Sequence, residues 1–486
     1  MPASIRSSSN SSPTQAERDL VAQVSQRRPG MKIAILGGGG VRTPLILQAM
    51  AARQAELGLT EVALMDIDRS QLDRVLAVVH AMTHQEPLPF ELHVFSEAAP
   101  ALRAADFVVT TFRVGNMQAR VLDETIPLAH GFLGQETTGP GGMAMALRSI
   151  PVLLKYIEVM RTECPHAWLV NFANPSGLLA QAALDLGAWP RTVGICDAPH
   201  GMQHVAAELL NAPMDEVQLD YFGLNHLGWV RRILHQGTDH LPLFLQTLAQ
   251  AGSLPGLPFE PELLTTLGLI PNEYLYYYYS SRRAVANLRA ALITRGQALL
   301  QMNQALARDL EVCIRSEDEA GILSTYQAYM QARGATYMAA ETKDRHPAAG
   351  LQPEWIHALA TEGYAGVALN VIAALSGGGT RQAIVNLPNG TAIEGMSSTD
   401  VVEVAASISA QGATPLAIGP IPDHCLGLMK QVKAFEKLTI ESVRDASLAK
   451  ARTALALHPL VTDETAARII LDEYREAHRE YFPNLA

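Results

Sequence analysis

The chain has 486 residues, 48% of them hydrophobic and 17% charged, and a formal net charge of −11 at pH 7. This length is sufficient for two domains, the composition is typical of folded globular proteins rather than disordered ones, and the negative charge argues against nucleic acid as the main partner. The absence of any apolar run of about 18 residues argues against a membrane span, and cysteines without CxxC or disulfide-scaffold spacing favour a reducing cytoplasm.

The chain divides by pattern into three parts. Residues 1–30 are polar and lack the apolar segment of a secretory signal, so we interpret them as a flexible tail or as the product of an upstream start codon. Strands and helices alternate over residues 31–199, which predicts a Rossmann-type α/β domain that binds a dinucleotide. The alternation then breaks down, and residues 200–486 are assigned to a separate C-terminal domain.

The first predicted strand covers residues 32–36 and leads into four glycines at 37–40 and a helix over residues 45–55. Thr43 is the expected N-cap of that helix and Pro44 its first residue. In a strand–turn–helix unit of this kind, backbone N–H groups and the helix N-terminus receive a pyrophosphate. The residues expected to contact a dinucleotide at this turn are Gly37, Gly39, Gly40 and Arg42.

A carboxylate after the second predicted strand, residues 61–65, supports this prediction. Asp66 follows the strand immediately and is a better candidate than Asp68 to accept the hydroxyls of the adenosine ribose. Such a carboxylate favours NAD over NADP, whose 2′-phosphate it would repel. Because Arg42 stands where the GxGxxG fingerprint has its third glycine, an ordinary α/β phosphate or nucleotide fold is the alternative.

Later strands of this half also end in polar residues. Strands are predicted over residues 91–95, 106–112, 167–172 and 192–195, with helices over 72–83 and 144–162. Ligands of open parallel sheets lie at the carboxyl ends of the strands, so Arg113 and Asn174 are placed to meet one. A surface salt bridge and a simple Asn-Pro turn are the alternatives. The intervening stretch at 134–142 is too polar and glycine-rich for a core element.

Two residues of this chain are possible ligands of a divalent first-row metal. Cys196 follows the strand at 192–195, and His226 lies in a bend between strands predicted at 218–222 and 229–234. Thiolate and imidazole both bind such metals. Buried packing residues are the alternative, since cysteine is among the residues most often found in cores.

The remainder of the chain is predicted to be largely helical. Five tyrosines between positions 274 and 279 cannot all be simple core residues, because each hydroxyl needs a partner. A hairpin is predicted around residues 377–390. The predicted helices cover residues 284–311, 315–341, 427–457 and 464–480.

Together these stretches resemble glycoside hydrolase family 4, the NAD- and divalent-metal-dependent glycosidases, and most of all its 6-phospho-β-glucosidase-like branch. The resemblance covers nearly everything after Met31. It rests on the motifs GGGGVRTP at 37–44, MDID at 65–68, FRVG at 112–115, GQETTGPGG at 134–142, NFANPSG at 171–177, GICDAP at 194–199, GLNHLGW at 223–229 and PNEYLYYYY at 271–279.

The resemblance implies a fold class and a set of cofactors. The fold is α/β, with a Rossmann-type dinucleotide-binding domain followed by a dehydrogenase-like C-terminal α/β (α+β) domain. The resemblance assigns substrate, metal and oligomerisation to this second domain, residues 200–486, and implies a cytoplasmic homodimer or homotetramer. The cofactors are NAD and Mn²⁺ or another divalent metal, with Cys196 and His226 as the metal ligands. A thiolate is a soft ligand for so hard a cation, which predicts modest affinity and sensitivity to oxidation.

The resemblance also implies a reaction and the roles of individual residues. A 6-phospho-glucoside or phosphorylated disaccharide is oxidised at C3, loses its C2 proton to Tyr274, and eliminates its leaving group with Asp197 as proton donor. Water addition and re-reduction complete a hydrolysis without net redox change. Arg113 and Asn174 are implied to bind the sugar, and Arg295 its 6-phosphate, as expected for bidentate guanidinium–phosphate pairing.

Two departures from the family pattern affect specificity. Gly115-Asn116 follows Arg113-Val114, where the family often has Gly-Gly, and Asp197 replaces the asparagine usual in many β-specific members. We therefore expect a β preference with detectable activity on α-linkages. A 6-phospho-α-glucosidase of the same family, a malate- or lactate-like NAD-dependent dehydrogenase, and a non-catalytic NAD-sensing protein are the alternatives.

Overall fold

The computed structural model describes residues 30–251, 258–343 and 364–486. The tail predicted over residues 1–30 lies outside the described residues, except for Gly30. Among the helices described, none is long and apolar enough to cross a membrane.

The strands of the described ranges form one mixed sheet. They are β1 Met31–Leu36, β2 Leu59–Met65, β3 Glu91–Phe95, β4 Phe107–Thr110, β5 Trp168–Asn171, β6 Thr192–Gly194, β7 Val217–Leu224, β8 Leu227–His235, β9 Thr238–Asp239, β10 Ile270–Pro271, β11 Arg381–Pro388, β12 Val401–Ser409 and β13 Gly412–Pro415.

The first half of the sheet has the strand order of dinucleotide-binding folds. Strands β3-β2-β1-β4-β5-β6 are neighbours in that order and all run parallel. The order reverses between β1 and β4, and ligands bind at such a reversal, outside the carboxyl ends of the strands. The predicted α/β fold class is confirmed.

The second half of the sheet is antiparallel and continues from β6. The order there is β6-β11-β12-β7-β8-β10, while β13 pairs with β12 and β9 with β8. The hairpin predicted around the Asn225-His226 bend is present as β7 and β8. The predicted domain boundary at residues 199/200 remains a prediction, since one sheet extends across it.

Helices cover the sheet on both faces. They are α1 Thr43–Ala52, α2 Gln54–Leu57, α3 Arg69–Thr83, α4 Ala98–Leu102, α5 Asn116–Ala129, α6 Gly139–Glu163, α7 Ser176–Asp185, α8 Ala198–Leu210, α9 Leu241–Ala251, α10 Pro261–Leu267, α11 Tyr276–Tyr279, α12 Ser281–Ala290, α13 Arg295–Arg315, α14 Glu319–Ala335, α15 Tyr364–Leu375, α16 Asp423–Arg444, α17 Leu448–Leu457 and α18 Glu464–His478.

Strand β1 shows why the parallel half is buried on both faces. Ile33 and Ile35 enter one hydrophobic core, together with side chains of α1 and α3, whereas Ala34 and Leu36 enter another with side chains of α6 and α7. Alternate residues of a strand point to opposite faces, so a strand covered on both sides is a continuous apolar run. Each fully buried Ile or Leu contributes about 1.5–3 kcal/mol.

Two predictions about helices are wrong in ways that affect the site. The helix predicted over 284–311 is two helices, because the Thr294 side chain accepts from Gln297 N and the Gln297 side chain caps Thr294 N, which begins α13 afresh. The stretch 134–142, predicted to be too polar and glycine-rich for a core element, is buried, and the helix predicted to begin at residue 144 begins within this stretch as α6, at Gly139.

Candidate functional site

The turn after β1 contains glycines at positions where the surrounding protein leaves no space for a side chain. A Cβ on Gly37 would lie 2.4 Å from Phe112 N, and this residue has a φ of 99° that favours glycine. A Cβ on Gly39 would lie 2.8 Å from Asp66 Oδ2. Gly38, absent from the predicted set, is equally restricted, at 2.9 Å from Leu64 Cβ, whereas the predicted Gly40 has space for a side chain.

The carboxylates after β2 have different functions. Asp68 is the N-cap of α3, where its side chain accepts from Gln71 N at 3.2 Å. Asp66 instead points back to the glycine turn and accepts from Gly39 N at 2.9 Å and from Asp68 N at 3.0 Å. Burial raises the pKa of Asp66. The geometry therefore supports Asp66 as the ribose-binding residue. The glycine turn and this carboxylate fit a dinucleotide.

Both predicted metal ligands are buried: Cys196 lies two residues after the end of β6, and His226 lies in the two-residue loop between β7 and β8. His226 has a φ of 61°, and its Nδ1 is 3.1 Å from Thr137 Oγ1. Burial lowers the pKa of His226 to about 4, so the ring is neutral at pH 7. Burial, together with Glu403 and Asp197, raises the pKa of the Cys196 thiol.

This donor set fits a divalent metal only in part. A neutral imidazole whose Nδ1 is engaged by Thr137 offers its Nε2 lone pair, which is the usual arrangement of a metal-ligating histidine. Within the described ranges, however, no group of three or more His, Cys, Asp or Glu side chains could hold an ion. A metal bound by Cys196 and His226 therefore needs further donors from substrate or water.

Tyr274 lies against the predicted metal site. Its ring stacks on that of His226, with centroids 3.7 Å apart and planes 4° from parallel. Burial raises the pKa of Tyr274 well above its usual value, with Glu136 and Cys196 adding to the effect. The neighbouring Tyr337 donates a hydrogen bond to Glu273 Oε1 at 2.9 Å. The structure therefore places the predicted base beside the predicted metal ligands.

A polar cavity lined in part by Tyr274 includes one of the predicted substrate residues, Arg295. The guanidinium of Arg295 lies 5.1 Å from the centre of the Tyr337 ring and donates to Thr336 Oγ1 at 3.3 Å. Arg295 is the first residue of α13. The cavity is lined by Arg120, Glu124, Gly134, Gln135, Glu136, Tyr274, Tyr277, Leu288, Arg295, Tyr337, Met338 and Glu341.

Ion pairs inside this cavity involve residues that were not predicted. Arg120 contacts Glu136 and Glu124, each at 2.8 Å, and Arg113 lies 3.9 Å from Glu136. Burial alone would raise the pKa of Glu136, but Arg120, Arg113 and Arg295 outweigh it and hold this pKa well below its usual value. The four-residue spacing of Arg120 and Glu124 on a helix was a signal for one of these pairs.

Further arginines lie near the same cavity. Burial lowers the pKa of Arg333 to about 10, and the charges of Arg42, Arg295 and Arg120 act in the same direction. Its Nη1 donates to Tyr329 Oη at 3.3 Å, while its buried Nε has no partner among the residues that the structure describes. A concentration of guanidinium groups of this kind suits an anionic ligand, although the chain as a whole is negatively charged.

The last two predicted residues lie at the same edge of the sheet. Asn174 is half-buried, lies three residues after the end of β5, and forms a cis peptide bond with Pro175. Asp197 is the N-cap residue of α8, and its Oδ2 lies 3.5 Å from Arg42 Nη1. The structure thus pairs two residues to which the prediction gave separate roles, Arg42 at the cofactor and Asp197 at the leaving group. Both side chains are more than one third exposed, so this pair is worth less than about 1 kcal/mol.

Sequence comparison decides the family. Residues 32–212 match the family described as "Family 4 glycosyl hydrolase", and residues 221–461 match its C-terminal domain. The chain belongs to glycosyl hydrolase family 4. A probable 6-phospho-beta-glucosidase of Bacillus subtilis (strain 168) is 30% identical over 462 residues, which cover 93% of this chain and 98% of that protein. The 6-phospho-beta-glucosidase of Escherichia coli (strain K12) is 29% identical over 94% of this chain and 97% of its own length.

Solved structures of family 4 members share the fold. The 6-phospho-beta glucosidase from Thermotoga maritima, solved with manganese, NAD⁺ and glucose-6-phosphate, is 27% identical, with a TM-score of 0.78 over 93% of this chain and 99% of that one. A 6-phospho-alpha-glucosidase from gut microorganisms, solved with NAD and glucose-6-phosphate, is 26% identical, with a TM-score of 0.78 over 94% of this chain and 100% of that one. Relatives of both anomeric specificities therefore match over nearly their full length.

Proposed function

We propose that this family 4 enzyme is a 6-phospho-β-glucosidase that requires NAD and Mn²⁺ or another divalent metal. The observation that carries the proposal is the stack of Tyr274 on His226, which places a proton acceptor beside the predicted metal site and at a polar cavity that includes Arg295. Two relatives named as 6-phospho-β-glucosidases and a related structure containing NAD⁺, manganese and glucose-6-phosphate support it.

The cofactors have defined places in the proposal. The glycine turn at residues 37–40 and the N-terminus of α1 hold the pyrophosphate, and Asp66 binds the ribose. Cys196 and His226 hold the metal, with substrate oxygens completing its coordination. When bound, these groups supply oxidation at C3 of the sugar and polarisation of the resulting ketone, which acidifies the hydrogen at C2.

The side chains of the protein move the protons. Tyr274 takes the proton from C2, and a metal charge close to His226 favours the phenolate that burial alone opposes. Asp197 then protonates the leaving group, from a position directly after Cys196 at the edge of the sheet. Because the re-reduction at C3 returns the hydride, the sum of the steps is hydrolysis.

The phosphate of the substrate is recognised by arginine in this proposal. Arg295 pairs with the 6-phosphate at the polar cavity, while Arg113 and Asn174 bind the sugar ring. Arg333 adds positive charge close to Arg295 and Arg42. Since the substrate is an anion and the net charge of the chain is −11, local arginines must overcome the overall field. We further propose a cytoplasmic homodimer or homotetramer.

The α-specific reaction is the second candidate, and Asp197 is the observation that favours it. An acidic side chain at this position suits members that protonate a poor leaving group, and a maltose-6′-phosphate glucosidase of Bacillus subtilis (strain 168) is 28% identical over 94% of this chain. Elimination begins with carbanion formation at C2, so the face of the leaving group matters less than in direct displacement. We therefore expect a β preference with detectable α activity.

A panel of α- and β-linked 6-phospho-glycosides, assayed with NAD⁺ and Mn²⁺, tests the proposal. We expect sugar phosphate to be released without accumulation of NADH, faster from β- than from α-linked substrates. One NADH per turnover would show a dehydrogenase instead. Release from unphosphorylated glycosides at an equal rate would contradict the assigned phosphate site.

A further inference from the structure

A carboxylate that lies outside the predicted site binds three of its neighbours. Glu403, the third residue of β12, is only 1% exposed. Its Oε2 accepts from Tyr221 Oη at 2.8 Å, and its Oε1 accepts from Asn386 Nδ2 at 2.9 Å and Asn225 Nδ2 at 3.2 Å. Three donors directed at one buried carboxyl make an organised polar cluster, since buried polar groups without partners are costly.

Backbone pairing places this carboxyl on a line across the sheet. Glu403 is opposite Asn386 of β11 on one side and Gly223 of β7 on the other, and Asn386 is in turn opposite Gly194 of β6. Beyond Gly223 the line continues to Gly228 of β8. The line therefore connects the parallel half of the sheet with the β7–β8 hairpin.

One partner of Glu403 leads to His226. Asn225 precedes this residue in the chain, donates to Glu403, and accepts with Oδ1 from Ser176 N at 3.0 Å. The side-chain amide of Asn225 is thus held through its Nδ2 by Glu403 of β12 and through its Oδ1 by Ser176 of α7. Ser176 directly follows the Asn174-Pro175 peptide. A change at Glu403 is transmitted to the loop that carries the imidazole and to the segment that carries Asn174.

The other two partners lead to the segments of Tyr274 and Cys196. Tyr221 Oη donates to Glu403 and accepts from Asn272 Nδ2 at 3.1 Å, two residues before Tyr274. Asn386 pairs with Gly194, two residues before Cys196.

Glycines provide the space that this cluster occupies. A Cβ on Gly228 would lie 2.0 Å from Tyr221 Oη, and a Cβ on Gly194 would lie 2.9 Å from Asn386 Cβ. Both positions belong to motifs that were singled out in the sequence, GLNHLGW and GICDAP. Glycine is needed at these two positions because Tyr221 and Asn386, the partners of Glu403, occupy the space that a side chain would need.

We propose that Glu403 is a positioning residue that sets the relative places of the four site segments, those of Asn174, Cys196, His226 and Tyr274. It touches none of the reacting atoms and acts through Tyr221, Asn225 and Asn386. This inference rests on the proposed function for the roles of the segments, but its geometric content, that one carboxyl holds them together, is independent of the substrate.

The Glu403→Gln variant tests the proposal because it retains the size of the side chain. A glutamine has one acceptor oxygen and one NH₂ group, so it cannot accept from three donors at two oxygens. We expect Mn²⁺ affinity and kcat each to fall on the order of 10–100-fold, the usual effect of losing an outer-shell partner of a metal site. NAD⁺ affinity, measured by fluorescence, should stay unchanged, since the glycine turn is not connected to Glu403.

A matched control separates positioning from general destabilisation. Asp220 is a second buried carboxylate of the same sheet, on β7, and it accepts from Arg231 and Arg232. Asp220→Asn should lower thermal stability while leaving Mn²⁺ affinity and kcat unchanged. Equal losses of Mn²⁺ affinity in both variants would overturn the proposal, and so would wild-type Mn²⁺ affinity and kcat in folded Glu403→Gln.

A second variant keeps the proposal testable if Glu403→Gln does not fold. Tyr221→Phe breaks only the connection from Glu403 to Asn272, so it should slow deuterium exchange at C2 of the product and leave Mn²⁺ affinity intact. Unchanged exchange would overturn the proposed connection to Tyr274. Failure of the proposed function is distinguishable, because it would abolish 6-phospho-glucoside hydrolysis in the wild type while the Mn²⁺ affinities of the variants remained measurable.

Discussion

Replacing Glu136 by glutamine removes a carboxylate from the polar cavity that contains Arg295, and it keeps the size of the side chain. In the wild type Glu136 contacts Arg120 at 2.8 Å, and both side chains are less than one tenth exposed. Removing one partner of a buried ion pair costs about 3–5 kcal/mol, because the other charge stays buried. Arg120 retains Glu124 at 2.8 Å, so we expect the lower end of that range, a loss of about 3 kcal/mol in the free energy of unfolding.

The pH dependence of this loss has a definite sign. The pKa of Glu136 lies below its usual value of 4.5 in the folded protein, so the carboxylate stabilises the fold fully above that pH and progressively less as the pH falls below it. Glutamine resembles the protonated form and cannot titrate. The difference in stability between wild type and variant should therefore be full at pH 7 and shrink as the solution is acidified below pH 4.5.

Urea denaturation at several pH values measures this effect. Glu158→Gln is a matched control, because Glu158 pairs with Arg161 at 3.3 Å but is 80% exposed, and such a pair contributes less than about 1 kcal/mol. A Glu136→Gln variant as stable as this control at pH 7 would refute the reasoning. A difference that stayed constant on acidification would refute the role assigned to the charge.

The remaining predictions concern the reaction. Tyr274→Phe should abolish solvent-deuterium incorporation at C2 of the product and reduce the rate on the order of 10²–10⁴-fold, because the base is lost; unchanged incorporation, measured by NMR in D₂O, would assign the base to another residue. Arg295→Lys should raise KM for phosphorylated substrates far more than for unphosphorylated ones, because a point charge replaces a bidentate contact; equal changes would remove Arg295 from the phosphate site. Asp197→Asn should strongly impair substrates with unactivated leaving groups and hardly affect p-nitrophenyl substrates, which need no proton; equal loss on both would show that Asp197 maintains the metal site instead.

Local sequence patterns predicted the parts of the fold that depend on neighbouring residues. The apolar run of β1 followed by the glycine turn identified the first strand and the cofactor side of the sheet, because a strand buried on both faces has no polar alternation. The same kind of pattern predicted β7 and β8, since the polar Asn225-His226 pair interrupts two apolar runs. Both predictions needed only information within about ten residues.

Partners that are distant in sequence explain what was missed. Residues 134–142 resemble surface because they are polar, yet Glu136 is buried by its ion pair with Arg120. Glu403 stands alone among apolar residues of β12, and nothing nearby in sequence reveals its three donors. The break before α13 was different, because Thr294 and Gln297 fit the capping-box spacing and could have predicted the helix start.

The order of strands in the sheet has a consequence for how the chain folds. Strands β1 to β6 are consecutive in sequence, so the half that carries the glycine turn can pair as soon as it leaves the ribosome. The β7–β8 hairpin, which carries His226, joins the parallel strands only through β11 and β12, and β12 ends at Ser409. Pairing across so long a loop is entropically costly and slow. We therefore expect the nascent protein to complete its glycine turn early, and the predicted metal ligands Cys196 and His226 to come together only after most of the chain has been synthesised.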